Sequence, residues 1–274
     1  MKRRHFIRLA GVATVATTAF PSQTLPPSKR ARWQPDGAAS VARIGVLTPD
    51  DDPVPESEMG IMAPQGVSIH ASRVTWNHEA LSFAEQAASA AEMLARVTPR
   101  VILYAFTSSS YVLGSQGDDE LRASLEKRAR GIPVILTCSA AVEALRILGT
   151  RRVALFHPPW FSEDINHKGM EYFRALDIEV VFCERMTPAR TFTEVPPAEV
   201  YQWVRTKAPR QAEAVFIGGN GLRAIGVIHA LEESLHKPVL TANQVLLWEA
   251  LRVLGITSKL TAYGMLWSKS GLTR

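Results

Sequence analysis

The sequence of 274 residues contains few cysteines and no apolar run long enough to span a membrane. Its two cysteines, Cys138 and Cys183, are too few for a disulfide scaffold, although an oxidising compartment would let them pair. Neither stands at metal-ligand spacing from a histidine, so we expect no metal and no other cofactor. Hydrophobic residues make up 46% of the chain and charged ones 21%, which excludes a mainly disordered chain, a collagen-like repeat and a coiled coil.

Acidic residues are missing from the first 34 positions, which hold seven of the 31 lysines and arginines. The other 24 basic residues stand against 26 acidic ones, so the body of the protein is slightly acidic. Such a body offers no electrostatic basis for binding nucleic acid, and we expect no such partner.

The basic N-terminus is typical of an export signal. Arg3 and Arg4 precede a weakly apolar run at residues 9–20, which is shorter than the roughly 20 residues of a membrane span. The arginine pair resembles a twin-arginine signal. We predict that residues 1–28 direct the protein to the periplasm, that residues 29–40 form a linker, and that no span remains after removal of the signal. The alternative is a basic terminus without a targeting role.

Short apolar segments alternate with amphipathic ones from residue 41 onward. This alternation predicts parallel sheets that are buried on both faces by helices. The predicted strands are 43–47, 67–72, 101–106, 133–137, 152–156, 179–183, 214–217 and 238–241. The predicted helices are 78–95, 118–130, 140–148, 162–175, 197–207, 222–235 and 244–254.

The two halves of this pattern resemble each other. The polar turns at Phe106 and Gly219 each follow the third strand of their half, at similar distances from its first strand. This repeat predicts an α/β fold of two pseudo-symmetric lobes, residues 41–150 and 151–274, each a mainly parallel sheet flanked by helices, with the site in the cleft between them. Whether the last elements of each half complete the other lobe stays open.

Two loops carry polar groups that suit a ligand. Asp50, Asp51 and Asp52 follow the first strand; three adjacent carboxylates raise each other's pKa, and they would bind a cation or an amine, or simply keep a loop solvated. Thr107 and Ser108 follow the third strand, where hydroxyl and backbone N–H groups would hold a carboxylate or only cap a helix.

Further candidates follow other strands. Gly219 and Asn220 lie in a glycine-rich turn that lets a backbone approach a ligand closely, or that is an ordinary tight turn. Cys138 precedes a predicted helix, where the pKa of a thiol is lowered, although a small buried residue is commoner there. His157 is a candidate general base or a solvent-facing loop histidine. Trp160 belongs to an aromatic segment that would wall a pocket.

Seven segments agree in order and spacing with a known family. They are residues 44–49, 62–67, 107–108, 143–146, 152–155, 238–244 and 248–252. Together they make residues 43–267 resemble the aspartate/glutamate racemase superfamily, in its maleate isomerase and arylmalonate decarboxylase branch. The resemblance implies two α/β lobes with the active site between them, and a small carboxylic acid or amino-acid-like ligand.

The chain departs from what this resemblance implies for the chemistry. The resemblance implies a cysteine at each symmetric turn in racemases and isomerases, one as base or nucleophile and one as acid, and only the second cysteine in decarboxylases. This chain has Phe106 and Gly219 at the two positions. Asp52 stands where the family has a carboxylate-binding Asn, and it would repel an acid unless protonated. Trp160 or Phe161 replaces a family tyrosine.

Two functions therefore stay open. The first is an isomerase- or decarboxylase-like enzyme with relocated proton transfer, for which Cys138 and His157 are the candidates. The second is a non-catalytic periplasmic protein that binds or senses a small ligand. The resemblance leaves open whether the protein forms a homo-oligomer.

Overall fold

The structure is a computed structural model that describes residues 39–75, 80–191, 194–258 and 260–269. The predicted export signal and almost all of the predicted linker lie outside the described residues. No helix in the described part of the chain is both long and apolar enough to cross a membrane.

Eight strands form two four-stranded sheets in which all neighbouring strands are parallel. The first sheet has the order β2-β1-β3-β4 and the second the order β6-β5-β7-β8. The strands are β1 Ala42–Pro49, β2 Val67–Val74, β3 Val101–Tyr104, β4 Val134–Leu136, β5 Arg152–His157, β6 Glu179–Arg185, β7 Ala214–Ile217 and β8 Val239–Thr241. Both sheets have the same strand order when counted within their halves, which confirms the predicted α/β fold with two similar lobes. We call the half with β1–β4 the first lobe and the half with β5–β8 the second.

Burial explains why the apolar runs become inner strands. All four residues of β3 and all four of β7 are buried, as expected for strands covered by helices on both faces. The edge strand β2 is mostly half-buried or exposed. Strand β3 pairs in parallel with β1, and β7 pairs in parallel with β5. Their carboxyl ends therefore lie at the same edge of each sheet, and the polar turns begin there.

Nine α-helices occur in the described residues. They are α1 Val54–Met62, α2 Ala80–Ala95, α3 Thr107–Arg128, α4 Thr137–Ile147, α5 Glu163–Arg174, α6 Pro197–Lys207, α7 Ile228–Leu235, α8 Ala242–Val253 and α9 Met265–Lys269. The predicted start of α2 at residue 78 lies outside the described residues.

Four helices differ from the prediction, and one of them is the short α9, which was not predicted. The sequence analysis missed α1, although Pro55 at its first turn is a helix-start signal. Helix α3 begins at Thr107 rather than at 118 and passes through Gly114, whose φ of +69° interrupts the helical conformation; its serines and glycines favoured a loop. Helix α7 begins at Ile228, not at 222, because a 3-10 turn at Ile225–Val227 precedes it.

Helices α4 and α8, which follow the last strands of the two halves, pack against each other. Helix α8 also contacts α1 of the first lobe, whereas β8 pairs with β7 and stays in its own sheet. A capping box of Thr241 and Gln244 fixes the start of α8.

Candidate functional site

The two polar turns are in direct contact. We call residues 106–108 the first turn and residues 218–221 the second turn. The N–H of Thr107 donates to Asn220 Oδ1 at 3.0 Å, and Thr107 Oγ1 donates to the same oxygen at 2.7 Å. The N–H of Gly219 donates to Thr107 Oγ1 at 3.1 Å. The structure thus brings together three residues that the sequence analysis selected from separate loops.

The contact between the turns extends into a buried polar network that the sequence analysis missed. Asn220 Nδ2 donates to Asn243 Oδ1 at 3.0 Å, and Asn243 Nδ2 donates to Glu58 Oε2 at 2.8 Å. Glu58 is 6% exposed, and burial raises the pKa of its carboxyl to about 7. Asn243 belongs to a segment that carries the family resemblance, which was its only sequence signal; Glu58 had none, because α1 was not predicted.

Phe106, at the first of the family's two cysteine positions, has a packing role. Its side chain is buried in the core of the first lobe, with ring centroids 4.6 Å from Tyr104 and 5.3 Å from Phe83. The first turn therefore presents Thr107 to the second lobe and places Phe106 in the core. Ser108 is half-buried next to it.

Gly219 has no room for a side chain. Its φ is +87°, a left-handed conformation that favours glycine. A Cβ on Gly219 would lie 2.5 Å from Cγ of Pro158. The proline that follows β5 therefore occupies the space next to the second turn.

Asp52 lies against the second turn. Its Oδ2 is 2.7 Å from the place of a Cβ on Gly221, so only glycine allows this approach. Its Oδ1 accepts the N–H of Val54 at 2.9 Å. Burial raises the pKa of Asp52 to about 6, and repulsion by Asp51 is a lesser cause. Asp50 and Asp51 are exposed, so burial, not the neighbouring carboxylates, is the larger cause.

His157 is completely buried, so the expectation of a solvent-facing loop histidine was wrong. Its Nε2 is 2.9 Å from Tyr111 Oη, and its Nδ1 contacts Asn166 Oδ1. Because Asn166 Oδ1 can only accept, Nδ1 carries the proton and Nε2 accepts from Tyr111. Burial lowers the pKa of His157 to about 4, so the ring is neutral. It packs beneath Gly218, inside the second lobe.

The two cysteines are free, and neither belongs to the two turns. Cys138 is completely buried, and its Sγ donates to the carbonyl of Thr107 at 3.6 Å. Burial raises the pKa of this thiol, so the lowering expected at a helix start does not occur. Cys183 is 3.7 Å from His157 Nδ1, and burial raises its pKa to about 12.

The aromatic segment after β5 divides between core and surface. Phe161 is buried, with its ring centroid 5.5 Å from that of His157 and 6.4 Å from that of Tyr111. Trp160 is 37% exposed. Phe161 therefore covers the buried histidine.

A surface cavity of about 660 Å³ lies away from the turns. Arg146, Gly149, Arg151 and Asp177 are among the residues that line it. These residues precede β5 and β6, at the amino ends of the strands. Ligands of parallel sheets bind at the carboxyl ends, so this cavity is not the candidate site.

Two similar parallel lobes with their polar turns in contact define a protein of the aspartate/glutamate racemase superfamily, in its maleate isomerase and arylmalonate decarboxylase branch. The chain belongs to the arylmalonate decarboxylase family, whose profile matches residues 58–267.

Known relatives agree with this assignment. The arylmalonate decarboxylase of Bordetella bronchiseptica is 25% identical over 269 residues, which are 95% of this chain and 99% of that protein. The solved maleate isomerase Iso of Pseudomonas putida S16 is 20% identical with a TM-score of 0.75, over 84% of this chain and 99% of that one. The maleate cis-trans isomerase of Nocardia farcinica, solved as a mutant with a covalently bound succinylcysteine intermediate, is 22% identical with a TM-score of 0.76 over 84% and 99% of the two chains.

Proposed function

We propose that this protein binds a small carboxylic acid where its two turns meet, and that it does not carry out the two-cysteine chemistry of its relatives. One observation carries the proposal: neither turn carries a thiol, and the packing of each turn opposes restoring one. The position in the first turn holds Phe106, whose ring fills the core, and the position in the second holds Gly219, which Pro158 covers.

The chemistry that is given up depends on a thiol at the reacting carbon. The Nocardia farcinica structure is named for a succinylcysteine, a covalent bond between a cysteine and a four-carbon acid. A thiol must be ionised to attack, and burial opposes ionisation. Both thiols of this chain have a raised pKa, and neither belongs to the turns.

Binding of an acid is supported by groups that remain at the turns. Helix α3 begins at Thr107, whose own N–H is taken by Asn220. The N-terminal end of this helix after Thr107, with the half-buried Ser108, offers an environment that favours anions. Asp52 sets the condition for binding, because its ionised form repels a carboxylate and its neutral form can donate a hydrogen bond. With a pKa of about 6, Asp52 favours acids below that pH and amines above it.

Calorimetric titration of the full chain with malonate, maleate, phenylacetate and an amine, each at pH 5 and pH 8, tests this proposal. We expect the acids to bind more tightly at pH 5, and we expect Asp52→Asn to bind them at both values. Asp51→Asn, which changes an exposed neighbour, is the matched control and should behave as the unchanged protein. Absence of acid binding at both values would refute the proposal.

Relocated catalysis is the second candidate. It is favoured by the position of Cys138, whose sulfur touches the carbonyl of Thr107 in the first turn. In this case Cys138→Ala or His157→Ala would abolish a measurable turnover. Turnover that survives both substitutions would exclude these residues as the proton donors.

Export to the periplasm is a separate proposal. It rests on Arg3 and Arg4 in an N-terminus without acidic residues. Replacing both with Lys should retain the protein in the cytoplasm of a bacterial host, because twin-arginine signals are read through this pair. Equal periplasmic recovery of both forms would contradict it.

A further inference from the structure

The hydrogen bonds around the second turn have a fixed direction. Thr107 N–H can only donate, so Asn220 presents Oδ1 to it and Nδ2 to Asn243. Asn243 must then accept with Oδ1, which leaves its Nδ2 facing Asn220 O and Glu58 Oε2, each at 2.8 Å. Because Nδ2 can only donate, the network requires an accepting oxygen from Glu58.

The other oxygen of Glu58 is also an acceptor. Glu58 Oε1 accepts the N–H of Ala224 at 2.9 Å and that of Ile225 at 3.2 Å, where the second turn leads into the 3-10 turn. Three donors therefore converge on one buried side chain of α1, which reaches from the first lobe to the second. Among the described residues, none forms an ion pair with Glu58, and the charged group that acts on it is Asp52.

We infer that Glu58 is the positioning residue of the turn site: its carboxylate orients the amide of Asn243, and through it holds Asn220 against Thr107. The inference deepens the proposed function, because it rests on the two turns forming the ligand site. A residue that served only to cap the 3-10 turn would need one oxygen, whereas Glu58 uses the second one on Asn243.

Protonation and amidation of Glu58 should have the same consequence. A protonated Glu58, or a Gln in its place, carries a hydrogen on one of the two side-chain atoms. That atom then faces a donor, which is either Asn243 Nδ2 or a backbone N–H. Burial favours the neutral acid and raises the pKa of Glu58 to about 7. The orientation of Asn220 and Asn243 should therefore change with pH near neutrality.

Amide ¹H–¹⁵N spectra of the full-length protein test this inference. In Glu58→Gln we expect shifted signals for the Asn220 and Asn243 side chains and for the backbone of Thr107 and Gly219. With Asp52 replaced by Asn, so that its carboxyl no longer titrates against the second turn, the protein should show the same signals titrating together between pH 5 and pH 9. Adding Glu58→Gln to this variant should remove that titration.

The matched control is Glu56→Gln, on the same helix, where a carboxylate pairs with Arg73 near the surface. It should leave all these signals and their titration in place. Signals of Ala224 and Ile225 that move in Glu58→Gln, while those of Thr107 and Gly219 stay, would reduce Glu58 to a cap and overturn the inference.

The test does not depend on either variant folding or on any ligand. If Glu58→Gln fails to fold, the titration of the Glu58 side-chain carbon in the unchanged protein decides. Thr107 and Gly219 signals that stay constant while that carbon titrates would overturn the inference. A failed acid titration would count against the proposed function alone.

Discussion

The first and second turns exclude a catalytic cysteine by opposite means. The first turn carries a large residue, Phe106, whose ring is part of the first lobe's core. The second carries no side chain, because Gly219 has a left-handed backbone and lies beneath Pro158. A cysteine at position 106 would leave a cavity in the core, whereas a cysteine at position 219 would clash with Pro158. Two symmetric positions of one fold can therefore lose the same residue for different physical reasons.

Removing volume from the first turn should have the largest effect. We expect Phe106→Ala to lower the free energy of unfolding by about 3–5 kcal/mol, because it leaves a cavity in a packed core. Urea denaturation measures this, and Phe106→Leu, which keeps most of the volume, should cost less than about 1.5 kcal/mol. Equal losses for both variants would mean that the ring does not fill the core.

Adding volume to the second turn should cost less, about 2–4 kcal/mol for Gly219→Ala. The loss combines the left-handed conformation of a non-glycine residue with the contact to Pro158. Pro158→Ala in the same chain should restore the steric part, since it removes the Cγ that a Cβ would meet. Gly226→Ala is the matched control, because no atom lies within 4 Å of its Cβ position, and it should be nearly neutral.

The hydrogen-bonded contact between the two turns can be weakened by substituting Thr107. Thr107→Val keeps the shape but removes the hydroxyl that donates to Asn220 and accepts from Gly219. We expect a loss of about 1–3 kcal/mol in the same denaturation experiment, because buried polar groups lose their partners. Thr107→Ser keeps the hydroxyl and should lose less. The reverse order would show that the methyl group, not the hydrogen bonding, joins the turns.

The smallest expected effect on stability is the pH dependence due to Asp52, which contacts the second turn. Its pKa rises from 3.8 to about 6 on folding, so its contribution to stability is present below about pH 4 and is lost as the pH rises through 6. Asn cannot ionise, so Asp52→Asn should gain about 1–2 kcal/mol relative to the unchanged protein between pH 4 and pH 8.

Urea unfolding curves of Asp52→Asn and of the unchanged protein, each at pH 4 and pH 8, give this difference in the free energy of unfolding directly. His157, with its lowered pKa, acts in the opposite direction below pH 6.5, but it contributes equally to both forms and cancels. Asp51→Asn should show no such gain. A constant difference between Asp52→Asn and the unchanged protein would contradict the buried position of Asp52.

The fold was predictable because its signals are local. Apolar runs such as 214–217 gave their strand without error, and the repeated strand order followed from the alternation of elements. The internal repeat added the pairing of the two turns, so the sequence alone predicted Thr107, Gly219 and Asn220 as site residues.

The errors concern properties that depend on what lies nearby in space. Cys138 follows the start of a helix, which favours a reactive thiol, but only the packing of both lobes around it reveals the burial that raises its pKa. His157 ends a strand and is covered by Phe161, four residues further on, and by Tyr111 from a distant segment. The role of Glu58 required a helix that was not predicted and partners in the other lobe.

The central claim is that the two turns meet without a thiol and without the chemistry that thiols provide. Proton NMR of the full chain in D₂O with maleate, an arylmalonate, aspartate and glutamate reports isomerisation, decarboxylation and exchange at the α-carbon in one series. The account predicts that all four compounds stay unchanged. Conversion of any of them, abolished by Cys138→Ala, would contradict it.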